Sequence, residues 1–60
     1  MKVFVYTKNG SRKVHEMIGV TSVRIDKENK QIIIEYEDEF FGTQKVKFST
    51  KKYKTVKYQN

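Results

Sequence analysis

Cysteine, proline and tryptophan are all absent from these 60 residues, and His15 is the single histidine. Without cysteine there is no disulfide staple, no thiolate metal ligand and no thiol nucleophile. One histidine leaves no histidine pair for zinc. Glycine occurs only at Gly10, Gly19 and Gly42, isolated from one another, so no Gly-rich phosphate loop is built. Long apolar runs are missing too. The longest aliphatic run is Ile32-Ile33-Ile34, far short of the ~20 residues that span a bilayer. Val3 to Val5 gives way at once to Tyr6, Thr7 and Lys8, so the roughly 7–15 apolar residues of a secretory signal are not expected. The expected location is the cytoplasm. Acids are lacking from Thr43 to Asn60, a stretch that holds six lysines.

What is present favours strands. Val, Ile, Tyr, Phe and Thr are plentiful, and aromatics make up 13% of a chain that is 33% charged, which argues against wholesale disorder. Sixty residues make one domain, 1–60. A chain of this size buries only about 60% of the surface its unfolded form exposes. The core must supply the stability alone, or a second copy must extend it. A net charge of +6 on 7.2 kDa attracts polyanions whatever the function.

The apolar residues follow a period of two rather than 3.6. Lys2 to Thr7 reads as the first strand, and Asn9-Gly10 as a two-residue type I′ turn. That turn pairs Thr7 with Arg12, Val5 with Val14 and Phe4 with His15. Val3, Val5 and Val14 then share one face, and Phe4, Tyr6 and Met17 the other. Gly19 marks a kink before a strand from Val20 to Asp26. A four-residue loop, Lys27 to Lys30, sets Asp26 against Gln31, Ile25 against Ile32 and Val23 against Ile34. A three-residue loop would scatter the apolar set, because a one-residue slip flips every side chain. The next strands run from Gln31 to Glu37, with Ile32, Ile34 and Tyr36 on one face, and from Thr43 to Ser49. Ile34 opposite Val46, Ile32 opposite Phe48 and Glu35 opposite Lys45 keep the faces consistent. Ser49 to Lys52 reads as a turn or a short 3₁₀ piece. Tyr53 to Gln59 is the last strand, at an edge, with Val56 and Tyr58 inward.

The expected fold is therefore all-β, a single small antiparallel meander of five to six strands, either a strongly twisted sheet or a barrel. The strand count and the turn before the last strand resemble the small SH3-like barrels. The Lys-, Glu-, Asn- and Ile-rich style is similar to that of small proteins of low-GC Gram-positive bacteria and their phages.

Four groups of residues invite a functional interpretation. Lys45, Lys47, Lys51, Lys52, Lys54 and Lys57, interleaved with Tyr53 and Tyr58, have the makings of a phosphate-tracking strip with stacking platforms. A solvated face, or an edge strand guarded against pairing, accounts for the same lysines better. Arginine, the residue of bidentate phosphate and base recognition, is limited to Arg12 and Arg24. Glu35, Glu37, Asp38 and Glu39 form an acidic cluster. Glu35 and Glu37 fall roughly 7 Å apart on one strand face, but ordinary paired surface charge accounts for them better than an acid–base pair or a cation site.

Phe40 and Phe41 are adjacent and cannot both point inward from a regular strand. One is expected to close the end of the core while the other stays exposed; a plug over the core is favoured over an anchor for a protein partner at a loop tip. His15 has no nucleophile or carboxylate beside it and reads as a half-exposed sheet residue. Phe4, Tyr6, Lys13 and His15 make an aromatic and basic group on the first hairpin, for which use as core is expected over nucleic-acid contact.

No triad, dyad or metal set is present, and a core that consumes most of the apolar residues leaves little room for a pocket. The expectation is a small non-catalytic binding or accessory module without cofactor or small-molecule substrate. Protein interaction comes first, through the exposed edge strand, the Phe40-Phe41 loop, or self-association that enlarges the core. Nucleic-acid binding through the lysine strip is the alternative. A membrane-surface role is disfavoured, since the basic residues fall on strands and no amphipathic helix accompanies them.

Overall fold

A computed structural model describes residues 1–10 and 12–58, with Lys57 and Tyr58 described in backbone alone. Six antiparallel strands carry it: β1 (Lys2–Thr7), β2 (Lys13–Met17), β3 (Val20–Asp26), β4 (Gln31–Asp38), β5 (Gly42–Ser49) and β6 (Tyr53–Tyr58). They form two 3-stranded sheets, ordered β2-β1-β6 and β3-β4-β5. The chain is all-β, and the meander ends with a return of β6 to the far side of β1. The two sheets do not close into a barrel. Gln59, the expected end of the last strand, lies outside the described residues.

One small core joins the sheets. Val3 and Val5 of β1, Val20 of β3, and Ile32 and Ile34 of β4 are buried, with Met17, Val23, Tyr36, Val46, Phe48 and Tyr53 packed against them. Val3 and Val5 face the core, so Lys2, Phe4 and Tyr6 face away from it, as the pleat requires. The corner between sheets sits at Gly19, whose φ of +70° suits glycine. There Val20 N–H donates to Met1 O (3.0 Å) and Glu37 N–H donates to Gly19 O (3.1 Å), tying the start of β3 to both sheets.

The β3-β4-β5 sheet has the register that its apolar pattern demands. Asp26 meets Gln31, Ile25 meets Ile32 and Val23 meets Ile34. Across β4, Ile34 meets Val46, Ile32 meets Phe48 and Glu35 meets Lys45. Asp26 holds the intervening loop: Asn29 N–H and Nδ2–H donate to its two carboxylate oxygens at 3.2 and 2.8 Å. Ile25 takes its expected partner yet stays 63% exposed. It sits on the edge strand, where the unclosed barrel offers nothing to cover it.

The first hairpin departs from expectation. Thr7 N–H does donate to Arg12 O (2.8 Å), but Val5 pairs with His15, not Val14, and Phe4 pairs with Glu16, not His15. The register shifts between Val5 and Tyr6, which pairs with Lys13, so Val14 is the extra residue of a β-bulge. A regular ladder would turn Met17 outward. The bulge brings it opposite Val3, where it packs on the core, and leaves Val14 39% exposed. The tight turn also differs from type I′, which needs positive φ at both central residues. Gly10 has φ +84°, but Lys30 alone among the described non-glycine residues is positive. Thr7 Oγ1 takes over part of the closure, donating to Asn9 O (2.9 Å) and accepting from Arg12 N–H (3.0 Å).

The last strand is inverted relative to expectation. Val56 lies opposite Phe4 on the outer face and is 38% exposed. The cause is Tyr53, whose ring packs edge-on to Phe48 (5.5 Å between centroids) against the core. With Tyr53 inside, the period of two sets Thr55 opposite Val5 and turns Val56 out. Tyr58 pairs with Lys2 in backbone register, and its side chain lies outside the described residues. Ser49 to Lys52 is a single turn, with Lys52 N–H donating to Ser49 O (3.2 Å).

Candidate functional site

The β4–β5 hairpin ends in a tip built from Glu39, Phe40 and Phe41, because Asp38 pairs directly with Gly42. A three-residue hairpin loop suits a glycine in the left-handed region, and Gly42 has φ +75°. Asp38 folds the loop over its own side chain. Its Oδ1 accepts from Phe40 N–H (2.8 Å) and Phe41 N–H (3.1 Å), as Asx turns do. From the other strand, Gln44 Nε2–H donates to Phe41 O (3.0 Å), and Thr43 Oγ1–H donates to Glu37 Oε1 (2.6 Å).

The loop is thus held by side chains at both ends, and neither phenyl ring turns back to the core. Phe40 is 85% exposed and Phe41 78%. Neither plugs the end of the core: the hairpin carries them past the end of the sheet, and Asp38 fixes the backbone that would have to bend. The result is a rigid tip presenting two apolar rings among carboxylates.

Those carboxylates have structural duties. Glu37 accepts from Thr43, and Asp38 caps the loop. Glu35 lies between Arg24 (3.6 Å) and Lys45 (3.9 Å), with 26% of its side chain exposed. Among the described residues, no three His, Asp or Glu side chains gather as a metal site. Asp26 has its carboxyl pulled below its ordinary pKa, foremost by the Asn29 side-chain hydrogen bond. His15 is exposed, with its ring 5.4 Å from that of Phe48 rather than beside a carboxylate.

The lysines of the proposed strip do not share one face. Lys45 and Lys47 lie on β5 opposite Glu35 and Ile33, on the outside of the β3-β4-β5 sheet. Lys51 and Lys52 occupy the turn before β6. Lys54 pairs with Tyr6 on the outside of the other sheet. Lys57 pairs with Val3 in the backbone, and its side chain lies outside the described residues. Tyr53 is half-buried against Phe48 and the core, so its ring is committed to packing.

A different aromatic group emerges on the outer face of β2-β1-β6. Phe4 and Tyr6 sit two residues apart on the central strand, with ring centroids 6.4 Å apart at 74°. Lys2 and Lys13 hold their ammonium groups 6.0 and 5.0 Å from the Phe4 centroid. Across the sheet, Tyr6 lies in one row between Lys13 and Lys54, and Phe4 in the next between Glu16 and Val56. The sequence places Phe4, Tyr6 and Lys13 together, but these rings form the outer face and not the core. His15 leaves the group because the bulge turns it to the other face. The alternation of Lys2, Phe4 and Tyr6 against Val3 and Val5 signals the face; Lys54 joins it only through the return of β6.

Among the described residues, there is no helix long and apolar enough to cross a membrane. No protein-family model, curated protein or solved structure matches the chain.

Proposed function

We propose that this chain is a small, non-catalytic interaction module of the cytoplasm that engages a protein partner through Phe40 and Phe41. The observation that carries this is the exposure of both rings on a loop held by Asp38, Gly42 and Gln44. A preformed loop loses little conformational freedom on binding. Burying each ring fully is worth about 1.5–3 kcal/mol, less than the ~4–15 kcal/mol cost of association. The rings therefore act as anchors within a wider contact.

A photo-crosslinking residue at Glu39, exposed beside the rings, tests this in cell extract. One crosslinked species should survive about 1 M salt, where the Debye length is ~3 Å, and vanish in Phe40→Ser/Phe41→Ser. A crosslinked dimer of the chain would identify self-association. A pattern unchanged by the double substitution would overturn the proposal.

A further inference from the structure

We infer that the outer face of the β2-β1-β6 sheet binds single-stranded nucleic acid. It is a second site, independent of the phenylalanine tip, and it differs from the dispersed C-terminal lysines. Phe4 and Tyr6 stand on the central strand, each half-buried, and the exposed Val56 extends their apolar surface. Lys2, Lys13 and Lys54 surround them; among the described residues paired across this face Glu16 is the acid, and it pairs with Lys13 at 3.4 Å. Rings ringed by cations call for a ligand that is flat, apolar in its faces and anionic along its length. A polynucleotide strand with its bases unstacked has that chemistry.

The two rings meet edge to face, with centroids 6.4 Å apart and planes at 74°. They therefore offer differently oriented surfaces, and neighbouring bases must unstack from each other to meet both. The ammonium groups over Phe4 are tethered by flexible stems, so they can swing from ring to phosphate as a base arrives. A duplex holds its bases stacked inside and cannot use the rings. Stacking and phosphate contact are common to single-stranded DNA and RNA, so little discrimination between the two is expected.

The other outer face is a built-in control. Arg24, Lys45 and Lys47 surround Glu35 and Ile33 there. That face has basic charge but no aromatic ring among these positions, and its charge is partly neutralised by Glu35.

Fluorescence anisotropy with a labelled mixed-sequence single-stranded DNA tests the inference, with the RNA of the same sequence and the duplex as competitors. DNA and RNA should compete within a few-fold of each other, and the duplex more weakly. The logarithm of affinity should fall linearly with that of salt, by about 0.7 per contacting lysine. Lys2→Gln/Lys13→Gln should shrink that slope by about 1.4. Lys45→Gln/Lys47→Gln, which removes the same charge from the other sheet, should leave it in place. Tyr6→Leu should weaken binding roughly 5- to 160-fold, the worth of one base–aromatic stack. Amide NMR spectra would establish that each variant is folded. Phe40→Ser/Phe41→Ser should bind the oligonucleotide like the parent, which separates this test from that of the tip. Equal losses in the two lysine pairs, an unaffected Tyr6→Leu, or no binding at all would overturn the inference.

Discussion

Replacing both tip phenylalanines with serine should leave the fold standing, and the size of the effect follows from their exposure. Phe40 is 85% exposed and Phe41 78%, so only a minor part of each residue is shielded. Full burial of such a side chain contributes about 1.5–3 kcal/mol. Scaled to the covered fraction, the pair contributes no more than about 1 kcal/mol, a fall in Tm of up to about 8 °C for a domain this small. Ile34→Ala is the contrast. Ile34 is fully buried, and truncation of such a residue costs roughly 2–5 kcal/mol. A domain of this length has only about 3–9 kcal/mol in total. Urea unfolding followed by circular dichroism should show Phe40→Ser/Phe41→Ser with an unchanged slope and a slightly lower midpoint. Ile34→Ala should have a far lower midpoint than the double variant. A loss above about 2 kcal/mol in the double variant would mean that the rings cover core in solution, and the anchor proposal would fall with that result.

Asp26 predicts a pH dependence. Its folded-state pKa is depressed from the ordinary 3.8, first by Asn29's side chain, so its stabilisation is present above that value and lost as pH falls through the lower folded value. The stability gap between the parent and Asp26→Asn should be full at neutral pH and close in acid; a gap independent of pH would refute this. Gly19→Ala should destabilise by about 1–2 kcal/mol, since φ there is +70° and a side chain in the left-handed region is strained; an unchanged Tm would show that the corner relaxes freely. Glu35→Gln breaks contacts to Arg24 and Lys45 and should cost about 0.5–1 kcal/mol, less at high salt; a loss insensitive to salt would assign Glu35 another role.

The sequence was most legible where a single face is apolar. In β3, β4 and β5, Val23, Ile32, Ile34, Val46 and Phe48 leave one consistent register, since a slip would expose them all. It was least legible in β1 and β2, where both faces carry apolar residues: Val3 and Val5 on one, Phe4 and Tyr6 on the other. There the alternation names two candidate cores, and the decision falls to a long-range partner. Val3 and Val5 go inside because β4 packs against them, and the bulge at Val14 then recruits Met17. β6 fails for a related reason. Local pattern favours Val56 inside, but Tyr53 reaches Phe48 and sets the opposite parity. The tip was half legible. Two adjacent phenylalanines before Gly42 imply that at least one is exposed; that both are exposed depends on Asp38 capping the loop.

The lysine excess divides by strand position into two kinds. Lys45 and Lys47 lie on β5 and Lys54 on β6, both edge strands, where lysine discourages pairing with another chain. Lys2 lies on β1, the middle strand of its sheet, so edge protection does not account for it. Its ammonium is 6.0 Å from the Phe4 ring, an exposed cation–π contact worth only about 0.5–1 kcal/mol. Against that stands the repulsion from Lys13 above the same ring and a net charge of +6 on the whole chain. A carboxylate in place of Lys2 would relieve both. Glu16 brings one negative charge to the face and is committed to Lys13 at 3.4 Å; on the inference above, phosphates strung along a strand of stacking bases would bring more where Lys2 and Lys13 meet Phe4.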